Sequence, residues 1–417
     1  MKPTWRWFGP QDPIPLDHIR QAGATGIVTA LHHLYRGEAW PVEDVLKRRD
    51  EILAAGLVWS VVESIPVHNS IKLRNGPYEQ FIGAWKESLR AIAKAGVQVV
   101  CYNFMPVVDW TRTDLRWRLP SGGYALRFDV VDFAAYDLFI LKRRGAEADH
   151  SEDLTRTAHR RFASMDEARR ADLEKTIIAG LPGAEASYDR EAIRRLIAEY
   201  EGVTHDDLRN SLIAFLCEVV PVAEDLGIRL AIHPDDPPWP LFGLPRVVST
   251  ADDVRAILHS SRAHASQQIS SVADSVAAPG CDSPANGLTF CVGSFGARPD
   301  NDLPAMLEEF KDRVHFAHLR QVKREDEGSF HEAEHLEGSS DMVGLVRALL
   351  DEESRRKKSG RTDHEIPMRP DHGHLLAEDI GRKTNPGYSY IGRLRGLAEL
   401  RGVMRGLKYT SAGMLRI

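Results

Sequence analysis

The sequence predicts an α/β protein, a TIM (β/α)8 barrel with a helical insertion between strands 4 and 5. Three observations carry that prediction. Eight short apolar or aromatic runs recur along the 417 residues, segments of helical periodicity separate them, and several of those segments end in glycine. Such alternation marks parallel α/β architecture. The length suits one barrel with insertions better than several ordinary domains.

The runs are counted in order. TWRWF at Thr4–Phe8, GIVTAL at Gly26–Leu31, VWSVVE at Val58–Glu63 and VQVVCYNF at Val97–Phe104 form the first half. IRLAIH at Ile228–His233, LTFCV at Leu288–Val292, VHFAHL at Val314–Leu319 and HEIPMR at His364–Arg369 complete the set. Helices are expected over Val42–Ala55, Tyr78–Ala95, Ser211–Leu226, Ala251–Ser260, Leu303–Lys311 and Asp341–Glu353. Gly56, Gly96 and Gly227 each follow such a stretch, where a helix end needs a positive φ before the chain turns into a strand. An open doubly wound sheet shares this alternation; the repeated helix, glycine, strand order favours closure.

Two segments break the rhythm. Residues 138–203 are densely charged and read as a helical insertion, a lid or an oligomer contact. Residues 262–287, rich in Ser and Ala with a Pro-Gly pair, read as a flexible insertion before strand 6. The expected organisation is a single barrel domain over 1–417.

Hydrophobic residues make up 43% and charged residues 27%, which permits a large buried core. The net charge of -6 argues against a general electrostatic grip on nucleic acid, so a small-molecule substrate is expected. Four cysteines without CxxC spacing suggest a reducing compartment. The opening MKPTWRWFGPQDPIP lacks a continuous apolar run, and no run approaches the ~20 residues of a membrane helix. A cytoplasmic location without membrane partners is expected.

In a barrel, chemistry gathers at the C-terminal ends of strands. Strand 2 runs into His32-His33, strand 3 ends in Glu63, strand 4 in Asn103 and strand 5 in His233-Pro234-Asp235-Asp236. Strand 6 carries Cys291, strand 7 ends in His318-Leu319-Arg320, and strand 8 runs into Arg369-Pro370-Asp371-His372. Singly, each has an ordinary structural explanation, and a free cysteine is usually a small core residue. Their convergence on one rim points elsewhere. His233, Cys291, His318 and Asp371 make a four-ligand set of N, S and O donors, suited to Mn, Fe or Zn better than Mg. Beside it, His372 and the tyrosines of Asn385-Pro386-Gly387-Tyr388-Ser389-Tyr390 are candidates for general acid and base in β-elimination of water. Arg320, Lys323, Arg369 and Arg393 could hold a carboxylate. Residues 329–336, with His331 and His335 four apart, are read as a substrate loop.

With these residues in hand, the chain resembles the D-mannonate dehydratase family, whose barrel is related to the xylose isomerase group. The resemblance rests on Trp5-Arg6-Trp7-Phe8-Gly9, Ala30-Leu31-His32-His33, Val62-Glu63-Ser64-Ile65-Pro66-Val67-His68 and Cys101-Tyr102-Asn103-Phe104-Met105-Pro106. It continues through Ile232-His233-Pro234-Asp235-Asp236-Pro237, His318-Leu319-Arg320 and Arg369-Pro370-Asp371-His372-Gly373-His374. The resemblance implies one Mn2+ or Fe2+ on His233, Cys291, His318 and Asp371, and His372 with Tyr388 as the acid and base pair. Trp7, His32, Asn103, Arg320 and Arg393 are expected substrate contacts. The implied reaction converts D-mannonate into 2-dehydro-3-deoxy-D-gluconate and water, and a homodimer is expected because symmetric pairs are common. A metal-dependent sugar isomerase or epimerase on the same barrel is the alternative, and a binding protein without turnover is a more distant one.

Overall fold

The computed structural model describes residues 1–178, 189–259 and 281–411, which form twelve strands. Eight make the barrel: β1 (Lys2–Arg6), β2 (Gly26–Thr29), β3 (Val58–Glu63), β4 (Val99–Tyr102), β7 (Arg229–Ile232), β8 (Asn286–Cys291), β9 (Val314–His318) and β12 (Pro367–Arg369). They close in the order β1, β12, β9, β8, β7, β4, β3, β2, every pair parallel. Each expected run contains one barrel strand or overlaps it, with ends displaced by a few residues.

The expected helices lie in place as Val42–Ala54, Tyr78–Lys94, His205–Asp225, Ala251–Leu258, Leu303–Phe310 and Met342–Lys358. Gly56, Gly96 and Gly227 take φ of 73°, 75° and 67°, the left-handed conformation that lets each helix end turn directly into a strand.

Strand pleating builds the interior. Val28, Val61, Val99, Cys101, Ala231 and Phe316 pack together inside the barrel. Because side chains alternate with period two, the next inward positions toward the C-terminal rim are Glu63, Asn103, His233 and His318. Thr289 sits in the apolar layer, its hydroxyl donating to the Ala231 carbonyl at 3.0 Å, which brings Cys291 to the same level as His318.

The remaining strands were not anticipated. β5 (Asp114–Arg118), β6 (Tyr124–Phe128), β10 (Gln321–Arg324) and β11 (Phe330–Ala333) form an antiparallel sheet in the order β10, β11, β6, β5. Two hairpins supply it, one following β4 and one following β9, and Phe330 opposite Phe128 joins them. Residues 329–336 therefore include a strand, which corrects their reading as a loop. Phe330 and Glu332 share its buried face, while His331 turns to Glu325.

After β6, helices at Glu152–Ser164, Glu167–Ile178 and Arg190–Ala198 precede the long helix His205–Asp225. Asp132, buried at the base of this region, pairs with Arg161 at 2.5 Å and Arg169 at 2.8 Å. The expected insertion at 262–287 lies outside the described residues up to 280; β8 begins at Asn286, within its expected end.

Gly287 of β8 has no room for a side chain, since an added Cβ would lie 2.3 Å from the Arg313 carbonyl and 2.2 Å from the His315 ring. Gly287→Ala is expected to cost ~1–3 kcal/mol, the usual penalty for forced overpacking, read as a lower denaturation midpoint with an unchanged slope.

Candidate active site

Four adjacent strand ends bring the predicted ligand set together. His233 follows β7, Cys291 ends β8, His318 ends β9 and Asp371 follows β12. The donor atoms of His233, Cys291 and His318 all lie within 4.8 Å of one another. An Asp371 carboxylate oxygen lies 4.0 Å from Cys291 Sγ, and the other lies 3.9 Å from His318 Nδ1. Asp371 adopts φ of 67°, a left-handed conformation that Asp tolerates better than most residues, and this turns its carboxylate inward.

Burial lowers His233, but Cys291, Glu63 and Asp371 raise it to about 9, so a bound cation competes with a proton on this ring. His233 Nδ1 donates to the Pro234 carbonyl at 2.7 Å, leaving Nε2 to face His318 Nδ1 at 3.2 Å. Arg369 Nε donates to His318 Nε2 at 3.0 Å, so the two rings share a proton where a divalent ion could stand. Burial raises the Cys291 thiol, but Arg320 and His233 hold it below its ordinary value. Burial likewise opposes ionisation of Asp371, yet Arg369, His372, His318 and Arg320 hold its carboxyl well below the carboxylate range. Two imidazoles, a thiolate and a carboxylate fit a borderline-soft divalent ion.

Next to this group runs a chain of proton-bearing residues. His372 Nδ1 donates to Glu332 Oε1 at 2.7 Å, and His372 Nε2 stands 3.3 Å from the Tyr388 hydroxyl. Burial pushes Glu332 up, but His372, Arg320 and Arg112 bring it down to about 2. It is a carboxylate at neutral pH and fixes which imidazole nitrogen carries the proton. Tyr388 is raised by burial, so its phenol stays protonated and can donate.

A cavity of about 620 Å3 opens on these groups, a size typical of small-ligand sites. Its wall includes Arg6, His32, Glu63, Asn103, His233, Arg369, Asp371, His372 and Tyr388. Glu63 accepts from Arg369 Nη2 at 2.9 Å and pairs with Arg6 at 3.2 Å. His32 is pushed well down by burial and by Arg6 and Arg48, so it is a neutral ring.

Three expected substrate contacts lie elsewhere. Arg320 is 2% exposed, absent from the cavity wall, and bound to Asp236 at 2.6 Å, Glu332 at 2.8 Å and Asp371 at 3.2 Å. Arg393 is buried behind Tyr388 and donates to the carbonyls of Arg6, Tyr388 and Ser389. Trp7 is buried with the Arg48 guanidinium 5.3 Å from its ring centre. In all three, polar groups or ring faces are engaged by protein. Lys323 lies on the accessory sheet in β10, away from the cavity wall.

Glu332 is the site residue that sequence reasoning missed. Its signal is the alternation Phe330, Glu332 within FHEA, which sets a carboxylate on a buried strand face. Arg112, which pairs with both Asp236 and Glu332, carries no comparable signal.

Cys291→Ser is expected to weaken binding of Zn2+ more than of Mg2+, measured by competition against a chromophoric chelator. Equal weakening would make Cys291 a packing residue.

Residues 1–412 match the family model described as D-mannonate dehydratase (UxuA). The chain is 54% identical over 409 residues to a mannonate dehydratase of Saccharophagus degradans, covering 98% of both chains. It is also 54% identical over 408 residues to mannonate dehydratase 2 of Agrobacterium fabrum, again with 98% of each covered. The crystal structure of mannonate dehydratase from Streptococcus suis superposes with a TM-score of 0.72 at 32% identity, covering 99% of this chain and 95% of that one. Barrel, rim residues and full-length similarity agree, and the chain belongs to the D-mannonate dehydratase family.

Proposed function

We propose that this protein dehydrates D-mannonate to 2-dehydro-3-deoxy-D-gluconate. His372 and Tyr388 move the protons, and His233, Cys291, His318 and Asp371 hold one Mn2+ or Fe2+. The observation that carries the reading is that a mixed-donor ligand group, meeting the cavity through His233 and Asp371, lies beside the Glu332, His372, Tyr388 chain, which meets it through His372 and Tyr388.

A divalent ion bound there supplies Lewis-acid stabilisation of the negative charge that develops on the substrate carboxylate when the adjacent carbon loses its proton. The protein's own groups do the rest. With Glu332 holding Nδ1–H, His372 presents Nε2 as the base that takes the proton from the carbon beside the carboxylate. Tyr388, kept protonated by burial, donates toward the hydroxyl leaving the next carbon. The C–H and C–O bonds break, a carbon–carbon double bond forms, and water departs; the resulting enol tautomerises to the 2-keto acid. Arg6 and Arg369, paired with Glu63 and Asp371, place guanidinium donors at the cavity edge beside the ligand group. The one such ligand group found among the described residues, with two imidazoles and a thiolate, favours this reading over a carboxylate-rich two-metal isomerase. The same proposal takes 1–417 as one barrel domain that works as a cytoplasmic homodimer on a small sugar acid.

Asp371→Ala is expected to lose bound metal and turnover together. His372→Ala should keep its metal while kcat falls by roughly 10²–10⁴, the usual contribution of a positioned acid or base. Metal content by elemental analysis alongside formation of a 2-keto acid checks both. Normal turnover by His372→Ala would refute the proton-transfer assignment.

A further inference from the structure

The ligand and proton-transfer residues occupy one arc of the barrel mouth, on β7, β8, β9 and β12. In the closed strand order β3 lies opposite β9, and β4 lies opposite β12. The loops after β3 and β4 therefore face the reacting groups across the cavity, and they contribute a second polar cluster to its wall: Lys72, Asn103 and Asp109.

Lys72 is 6% exposed, unusual for a lysine, and lies on the short helix Asn69–Leu73. Among the described residues its ammonium makes one hydrogen bond, to the Met105 carbonyl at 2.7 Å, and no carboxylate pairs with it. An ammonium has three donors, so two remain. Burial pushes Lys72 below its ordinary value, with Asp109 opposing the shift. Asp109 accepts from Asn103 Nδ2 at 3.2 Å, which leaves acceptor capacity on its carboxylate and on the Asn103 carbonyl. A buried ammonium and a carboxylate thus line one cavity without pairing, beside an amide with an open acceptor. Asn103 and Asp109 are only partly buried, so water can reach their open acceptors, and a ligand carrying several hydroxyls can replace that water with a partner for each. A second carboxylate would instead meet Asp109.

We propose that Lys72, Asn103 and Asp109 form a specificity-determining subsite for the hydroxylated tail of the sugar acid, the end remote from its carboxylate. This rests on the dehydratase reading, which sets the carboxylate end at the opposite arc. The subsite makes the protein selective for long polyhydroxy acids over short ones whose reacting carbons are identical.

The test compares D-mannonate with a four-carbon 2,3,4-trihydroxy acid of the same configuration at the two reacting carbons. The short acid is measured as an alternative substrate or, if it is not turned over, as a competitive inhibitor. Lys72→Met and the near-isosteric Asp109→Asn are each expected to lower selectivity for the long acid by roughly 10- to 100-fold, the worth of hydrogen bonds to charged groups. If the long acid keeps its full advantage in Asp109→Asn and in any folded Lys72→Met, the subsite is refuted while the dehydratase reading stands. Absence of D-mannonate turnover by the unaltered, metal-loaded protein would overturn that reading and the subsite with it.

Discussion

Asp371 is a carboxylate almost wholly removed from water, and it stays ionised because Arg369 and Arg320 lie against it at 2.6 and 3.2 Å. Neither guanidinium serves Asp371 alone. Arg369 also donates to His318 and Glu63, and Arg320 also holds Asp236 and Glu332. Glu332 in turn orients His372. Breaking one partner out of a buried ion pair commonly costs ~3–5 kcal/mol, because the remaining charge is stranded. The rim is therefore one electrostatic unit. The candidate ligands, the candidate proton-transfer pair and the accessory strand carrying Glu332 keep their places together.

This dependence gives the accessory sheet its purpose. The hairpin after β9 would be peripheral if it only covered the mouth, but Glu332 and Arg320 reach from that region into the charge network. Two buried histidines fasten the same region: His335 donates to the Pro370 carbonyl at 2.8 Å and His374 to the Glu332 carbonyl at 2.8 Å. The loop carrying Asp371 and His372 is thereby tied to β11 on both sides.

The barrel and the gathering of the candidate ligand residues at one rim were legible in the sequence because both depend on local patterns. Apolar runs ending in His233, Cys291, His318 and Asp371 mark strands and their C-terminal rim, and glycines such as Gly96 mark the turns between. The accessory sheet was not legible. Its strands are four or five residues long, DLRWR and QVKR are largely polar, and their pairing joins segments some two hundred positions apart. The arginines were ambiguous for a related reason. Arg320 and Arg393 read as cavity cations, yet each is neutralised or engaged by groups distant in sequence, which no local pattern reveals. Glu332 became a site residue only through His372, forty positions away.

Metal-stripped protein supplied with D-mannonate, with and without added Mn2+, tests the central claim most directly when a carbonyl-specific assay follows the 2-keto acid. The account predicts product only with the ion, rising to a plateau at one ion per chain. Product at the same rate in the presence of a chelator, or none with either Mn2+ or anaerobic Fe2+, would contradict it.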